Sequence, residues 1–174
     1  MKNSYQKDYR KVKLAEPRSE RLKLGKAKKG LVICSVCNIF FYQKSWHHGA
    51  DAFIAKRENK DMPVSFTVCP ACQMIKRKEY MGKVVVTGIP AAQKSDLMNM
   101  IRGYGERAFD RDPLDRLIAV SQSGATATVT TTKNQLAQRL AEKIKDAFNT
   151  VKLSFAHGKT PGDAVTVTVA FLKK

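Results

Sequence analysis

The feature that most constrains this chain is a pair of Cys-x-x-Cys motifs, which together contain all four of its cysteines. Cys34 and Cys37 form the first pair, and Cys69 and Cys72 form the second pair after 31 intervening residues. A Cys-x-x-Cys turn places two sulfur atoms on one side of a tight loop, and two such turns supply the four thiolates of a closed structural zinc site. β-Branched residues precede each pair, so we expect each knuckle to cap a short strand, as in a zinc ribbon.

Other uses of these cysteines stay open at this point. A Cys-x-x-Cys motif can be a redox pair, although such motifs occur singly beside a βαβ unit. Two disulfides are a second alternative, but the sequence has no secretory signal, and cytosolic thiols stay reduced. His47 and His48 are candidates to replace a thiolate ligand, but with four cysteines present we expect them to be surface residues.

The net charge of the chain indicates what kind of molecule it binds. The 174 residues contain 32 lysines and arginines against 15 aspartates and glutamates, a formal charge of +17 at pH 7. This excess predicts a polyanionic partner, with nucleic acid before an anionic membrane, because we find no basic amphipathic helix with an aromatic face. The sequence has no run of 18 apolar residues and no apolar signal-peptide core, so we expect a cytoplasmic protein without a membrane span.

Residues 1–29 are predicted to form a basic arm that is disordered alone and becomes ordered on a phosphate backbone. The segment has 11 basic and 3 acidic residues, and its few apolar residues show no period that could bury a core. A solubilising tail is the alternative interpretation. The predicted nucleic-acid contacts in the arm are Lys11, Lys13, Arg18, Arg21, Lys23, Lys26, Lys28 and Lys29.

Residues 30–82 are predicted to form the zinc ribbon with an unusually long loop. Residues 38–42 predict one strand, and residues 63–68 predict a strand that returns to the second knuckle. Trp46 is a candidate to stack on a base, although aromatic residues in so small a unit more often form its core. The other predicted nucleic-acid contacts in this region are Lys56, Arg57, Lys76, Arg77 and Lys78.

Residues 83–174 are predicted to form an α+β domain with the order β-α-β-β-α-β-β. This order contains the split βαβ pattern of ferredoxin-like folds, followed by an additional C-terminal strand. In the first helix, Gly103 and Gly105 indicate either the end of the helix or the close approach of another backbone. Thr132 and Gln135 form a capping box for the second helix. Alternating threonines, as in Thr128-Val-Thr130, predict that one face of the sheet is open to water.

These residues resemble a family of small bacterial proteins with a four-cysteine zinc ribbon. The shared motifs are a basic N-terminus, Cys34 to Cys37, Trp46, Cys69-Pro-Ala-Cys72, Val84 to Gly88, Pro113-Leu-Asp-Arg116, Thr131-Thr132, Leu136-Ala137 and Arg139. The resemblance covers roughly residues 30–150. The chain departs from the family in its long ribbon loop and at Asn38, where glycine is common.

A more distant resemblance is to the N-terminal part of the large-subunit ribosome export adaptor of eukaryotes and archaea, in which paired knuckles and a small following domain bind the ribosome. It extends to the zinc ligands and the domain order, and it implies ribosome contact without assigning a contact residue.

Together these features predict a non-enzymatic zinc-binding protein that binds ribosomal RNA or associates with the ribosome, with one structural zinc ion. A protein–protein adaptor that uses the open sheet face is the first alternative. A zinc or thiol enzyme is the second, but it would need an open metal position or a thiol of low pKa, and the sequence shows neither.

Overall fold

The computed structural model describes residues 30–56, 62–156 and 164–172, which form two sheets and four helices. The predicted arm of residues 1–29 and the predicted contact Arg57 lie outside these described residues. The expectation of a mixed α+β chain is confirmed for the described residues. Among the described residues, no helix is both long enough and apolar enough to cross a membrane.

The first unit is a small four-stranded sheet with two short helices. In chain order its elements are β1 (Leu31–Cys34), β2 (Phe40–Tyr42), β3 (Ser45–His47), α1 (Ala50–Lys56), β4 (Val64–Thr67) and α2 (Pro70–Arg77). The strand order in the sheet is β3-β2-β1-β4. β1 and β3 are antiparallel to β2, whereas β4 pairs in parallel with β1. Strands therefore precede both cysteine pairs, as expected.

The hairpin that joins β2 to β3 was not predicted from the sequence. Its two loop residues, Gln43 and Lys44, have positive φ angles of 47° and 69°. A two-residue turn with positive φ at both positions is the type I′ turn that matches strand twist, and its usual signal is Asn-Gly or Asp-Gly. Because this chain places two long side chains there, the hairpin has no recognisable sequence signal.

Helix α1 covers one face of this sheet and gives the unit a core of its own. Leu31, Ile33, Phe40 and Ala50 are buried together, and the Phe53 ring lies 4.6 Å from the Phe40 ring between centroids. The aromatic strand β2 thus contributes to packing, which agrees with the expectation that aromatic residues in a small unit form its core.

The second unit is a five-stranded sheet with two longer helices. In chain order its elements are β5 (Gly82–Thr87), a 3-10 turn (Ala91–Gln93), α3 (Lys94–Arg111), β6 (Leu117–Ser123), β7 (Thr126–Thr131), α4 (Asn134–Ala147), β8 (Val151–Ala156) and β9 (Val165–Phe171). The strand order in the sheet is β6-β7-β5-β9-β8. The sequence of strands and helices along the chain is the predicted one.

The predicted ferredoxin-like strand order is not confirmed. β7 lies between β5 and β6 and is antiparallel to both, which reproduces the split βαβ pattern. In a ferredoxin-like sheet, the strand that follows the second helix lies beside the first strand. Here β9 takes that position, parallel to β5, and β8 lies at the edge. Sequence alternation could not show this difference, because β8 and β9 both alternate apolar and polar residues whichever of them is outermost.

The core of the second unit lies between one sheet face and the two helices. Val84, Val129 and Val167 point into it from the three middle strands, and Leu140 and Ile144 meet them from α4. On the opposite face, the alternate residues of β5, β7 and β9 are only half-buried. This threonine-rich face is the open face expected from the alternation.

Helix α3 continues through both of its glycines. A Cβ atom on Gly105 would lie 2.5 Å from Leu117 Cδ1, so this glycine allows a side chain of β6 to approach, not a backbone. At Gly103 the nearest atom to a Cβ would be the guanidinium of Arg107, at 3.3 Å. Gly105 is therefore required by packing, whereas Gly103 lies where a small side chain would fit.

The predicted capping box at the start of α4 is wrong. Lys133 occupies the cap position without a side-chain capping bond, and α4 begins at Asn134. The Thr132 hydroxyl instead donates to the Leu114 carbonyl at 2.6 Å and accepts from the Arg116 backbone N–H at 2.9 Å. The hydroxyl is therefore engaged in holding the loop after α3 against the end of β7.

Candidate metal centre

The parallel pairing of β1 with β4 brings the two cysteine pairs together. Cys34 is the last residue of β1 and lies opposite Thr67, the last residue of β4. Since parallel strands end at the same edge of a sheet, Cys69 emerges beside Cys34. Its backbone N–H donates to the Cys34 sulfur at 3.3 Å.

The first pair lies on a tight turn between β1 and β2. The backbone N–H of Asn38 donates to the Cys34 carbonyl at 3.0 Å, and the N–H of Cys34 donates to the Ile39 carbonyl at 2.8 Å. Asn38 has a φ of 58°, in the left-handed region that glycine and asparagine tolerate best. Asparagine can therefore serve at this position in place of the glycine common in the resembling family.

The second pair does not form the strand-end knuckle expected of a zinc ribbon. β4 ends at Thr67, and the pair opens helix α2, with Cys69 as the N-cap residue and Pro70 at the first helical position. The Cys72 backbone N–H donates to the Cys69 sulfur at 3.4 Å. Proline directly after a side chain that can accept a hydrogen bond is a helix-start signal. Cys69-Pro70 could therefore have indicated this helix.

The four sulfur atoms form a group of the right size for one metal ion. They all lie within 4.8 Å of one another, and the Cys37 and Cys69 sulfurs are 3.7 Å apart. Tetrahedral zinc with Zn–S bonds of about 2.3 Å requires sulfur–sulfur distances of about 3.8 Å. Cys34, Cys69 and Cys72 are buried and Cys37 is half-buried, so the group is a closed site and not a surface cluster. The predicted ligand set is therefore brought together.

The surroundings shift the pKa values of the three buried thiols in different directions. Burial alone would raise the pKa of Cys34, but backbone N–H donors of Cys69, Val36 and Cys37 outweigh it and lower the pKa to about 6. Burial raises the pKa of Cys69 far above its usual range, and it raises the pKa of Cys72 to about 12. A metal ion would therefore have to displace protons from at least these two thiols. Cys34 is only 1% exposed, so its lowered pKa does not make it an accessible nucleophile.

Apolar side chains from both units enclose the sulfur group. Ile39 and Ala71 are buried against it, and Trp46 and Val68 pack on it from the first unit. The Trp46 indole also meets the Phe41 ring at a centroid distance of 5.4 Å. Trp46 is thus half-buried beside the centre, and its stacking on a base stays a prediction.

Two residues of the second unit, Phe109 and Leu114, also pack against the sulfur group. The Arg116 guanidinium lies 4.0 Å above the centre of the Phe109 ring. This contact was not predicted from the sequence. Phe109 lies four residues after the buried Gly105, beside the buried face of α3, so its spacing indicated a packed side chain without indicating its neighbours.

Both histidines lie outside the four-sulfur group. His47 Nε2 is 3.2 Å from the Tyr42 carbonyl within the hairpin. His48 Nε2 donates to the Phe109 carbonyl at 2.7 Å, across the junction between the two units. Both residues are exposed, in agreement with the expectation of surface positions.

The predicted basic contacts that the structure describes are all exposed at helix ends. Lys56 is the last residue of α1, Lys76 and Arg77 end α2, and Lys78 is its left-handed cap with a φ of 56°. Cations stabilise a helix C-terminus through its dipole, which gives these residues a local role as well. Their contacts with nucleic acid stay predictions.

No protein-family model, curated protein or solved structure matches this chain. The two family resemblances drawn from the sequence therefore stay expectations.

Proposed function

We propose that the protein is a non-enzymatic zinc-binding protein that binds ribosomal RNA or associates with the ribosome. The observation that carries the proposal is a closed four-sulfur centre within a chain of net charge +17. The centre supports the structural metal, and the charge supports a polyanionic partner.

Zinc is the metal that best suits this centre. Four thiolates in tetrahedral arrangement favour zinc or iron, and zinc is the usual ion of four-cysteine structural sites. A complete set of four protein ligands leaves no open coordination position, so the ion would stabilise the fold without activating water. Mass spectrometry of the native protein and elemental analysis test this assignment, with about one equivalent of zinc expected.

The distribution of charge supports the choice of RNA. Residues 1–29 contain 11 basic and 3 acidic residues. In residues 30–174 basic residues still outnumber acidic ones, but by a smaller ratio. Phosphate contacts from lysine and arginine supply most of the affinity of non-specific nucleic-acid binding. The arm and the cluster of Lys76, Arg77 and Lys78 are the proposed contacts. The resemblance to the ribosome export adaptor favours ribosomal RNA among nucleic acids.

The test is sedimentation of the tagged protein from a lysate through a sucrose gradient, with and without ribonuclease. We expect the protein to migrate with a ribosomal subunit and to move to the top of the gradient after ribonuclease treatment. A variant with Lys76, Arg77 and Lys78 changed to glutamate should bind more weakly. The matched control changes Arg102, Arg139 and Lys143, three exposed basic residues of α3 and α4, to glutamate. Equal loss in both variants would show that total charge alone matters and that the α2 cluster is not a contact.

A protein–protein adaptor is the second candidate, supported by the open face of the larger sheet. Half-buried residues such as Lys83, Thr128 and Thr168 form this face opposite the two helices. An adaptor would keep its protein partner after ribonuclease treatment. A zinc or thiol enzyme has less support, because the closed set of sulfurs leaves neither an open metal position nor an exposed thiolate.

A further inference from the structure

The two edges of the five-stranded sheet differ in how they are protected. At one edge, the pairing of β6 with β7 shifts register between Leu117 and Ala119, and β6 ends in the exposed polar residues Ser121, Gln122 and Ser123. Bulges and charged residues are usual means by which an edge strand avoids pairing with another chain, and β6 has a bulge. The β6 edge is therefore protected.

The other edge, β8, has no such bulge. Its six residues pair with β9 without a register shift, from Val151 opposite Phe171 to Ala156 opposite Thr166. Among the described residues, its outer side has no partner strand. The strand contains no proline, and Lys152 is its only charged residue. A regular, weakly charged edge of this length is a template for strand pairing.

A groove lined by four apolar and four charged residues continues from this edge onto helix α4. It has a volume of about 740 Å³ and lies between β8, α4 and the end of β9. Val151 and Leu153 extend the core into its floor, while Phe155 is 47% exposed and Leu172 is 56% exposed beside them. Large apolar side chains exposed beside a free strand edge are candidates for an interaction surface.

We propose that the β8 edge is a homodimer interface, in which β8 of one protomer pairs antiparallel with β8 of its partner. The two five-stranded sheets would then form one continuous sheet. In a two-fold interface the same surface meets itself, so its charges must be self-complementary. The charged residues of the groove are Glu142, Asp146, Lys145 and Lys152, two acids and two bases.

This balance of charge favours a second copy of the chain over other partners at the β8 groove. The chain as a whole carries +17, so two copies repel unless they meet where acidic residues offset the basic ones. The same carboxylates disfavour a polyanion in this groove. Two-fold pairing would also account for the exposure of Phe155 in one chain. Residues opposite each other in antiparallel strands lie on the same sheet face, so the Phe155 ring would cover Val151 or Leu153 of the other protomer.

The test is the mass of the purified full-length chain in solution, after ribonuclease treatment and at high salt so that bound RNA does not contribute. Light scattering coupled to size-exclusion chromatography, from about 1 to 100 μM, should give twice the chain mass of 19.4 kDa. Phe155→Glu should return the mass to that of one chain. The matched control is Phe66→Glu, because Phe66 is 71% exposed on β4, an edge strand of the other sheet, and its change should leave the dimer intact.

Each outcome decides the proposal. A wild-type chain that stays monomeric up to the highest concentration overturns it, as does a dimer that Phe155→Glu leaves unchanged. If Phe155→Glu lowers the folded fraction, Leu172→Glu replaces it, because Leu172 lies after the end of β9 and lines the same groove. The result is independent of RNA binding, so failure of the proposed function would not affect it.

Discussion

The His48 imidazole donates a hydrogen bond to the Phe109 carbonyl at 2.7 Å, and the two rings meet edge to face with centroids 4.5 Å apart. His48 follows β3 in the first unit, whereas Phe109 lies in the last turn of α3 in the second. Phe109 also packs against the sulfur group. One pair of residues therefore connects the four-sulfur group of the first unit to the longest helix of the second unit.

This contact predicts that His48 couples the stability of the two units. His48→Ala removes one hydrogen bond and one ring contact, and we expect it to cost about 1–2 kcal/mol of unfolding free energy. The matched control is His47→Ala, because His47 bonds a carbonyl within its own hairpin. Urea unfolding followed by circular dichroism measures both variants. A His48→Ala variant as stable as the wild type would show that the junction does not couple the units.

Metal binding is expected to supply folding free energy to the first unit. Its two buried clusters are small, so we expect the ion to hold the four sulfurs together, and Cys69→Ser should abolish zinc binding and unfold the first unit. The second unit has a separate core and should stay folded. Trp46, the only tryptophan, packs beside the centre, so its fluorescence reports the loss directly. Ser35→Ala is the control. Less than about half an equivalent of zinc in the fresh wild-type protein would contradict the assignment.

The two glycines of α3 should respond in opposite directions to the same change. Gly103→Ala adds helix propensity of about 1 kcal/mol where only a flexible guanidinium is near, so it should raise the melting temperature. Gly105→Ala brings the same propensity gain but places a methyl group 2.5 Å from the Leu117 side chain. Overpacking of this kind costs typically about 1–3 kcal/mol, so this variant should be less stable than the wild type. Calorimetry of the pair tests the packing at residue level, and a stabilised Gly105→Ala would show that β6 lies elsewhere.

Ion pairs between Lys133 and the loop that joins α3 to β6 predict that the stability of the protein depends on pH. The Lys133 ammonium lies 2.6 Å from Asp112 and 3.0 Å from Asp115. Burial alone would raise the pKa of Asp112, but the bond from Lys133 and the Leu114 N–H outweigh it and lower this pKa below its usual value. A lowered carboxyl pKa stabilises the fold above the unfolded-state value of about 4, and the contribution is lost as the pH falls through the folded-state pKa.

The matching change in Lys133 has the opposite sign. Burial alone would lower the pKa of Lys133, but the two carboxylates outweigh it and raise this pKa. Its contribution is therefore complete at neutral pH and is lost only as the pH rises through the raised value. Asp112→Asn should destabilise the protein near neutral pH, and the difference from the wild type should shrink as the pH falls below about 4. Urea unfolding of both proteins at several pH values measures this, and a difference independent of pH would contradict the ion pair.

The sequence predicted the order of elements in the second unit because most of them are amphipathic. Alternation located β7, β8 and β9, and spacing at helical period located Leu136, Leu140 and Ile144 on α4. The four sulfurs were predicted because Cys-x-x-Cys spacing itself limits where the sulfurs can lie. The alternation, the helical spacing and each Cys-x-x-Cys turn are local, so they can be read from short stretches of chain, whereas the two cysteine pairs meet through the pairing of β1 with β4.

The features that the sequence could not predict depend on pairing between distant segments. The position of β9 between β5 and β8 is set by which strands meet, not by the pattern of either strand. The Thr132 hydroxyl could cap α4 or bond the Leu114 carbonyl 18 residues earlier, and only the packed loop decides between them. The contact of Phe109 with the centre likewise required knowing which corner of the second unit faces the cysteines.

The basic arm of residues 1–29 should supply a large share of the affinity for the proposed RNA partner. Binding that neutralises phosphates releases counterions, so the slope of log K against log salt counts the contacts, at about 0.9 per phosphate on a duplex. The arm has 11 basic residues, and we expect it to make about half of all contacts. Deleting residues 1–29 should therefore roughly halve the salt slope and weaken binding by about 10²–10³ near physiological salt.

Sequence preference among RNAs should barely change in this deletion, because phosphate contacts position a protein without specifying a sequence. Charge reversal at Lys76, Arg77 and Lys78 is the internal comparison and should cost less, since the cluster is shorter and is fixed at the end of α2. Filter binding to ribosomal RNA across a salt series measures all three proteins. Equal slopes for the full-length and shortened chains would show that the arm is a solubilising tail, and the adaptor function would then be the better proposal.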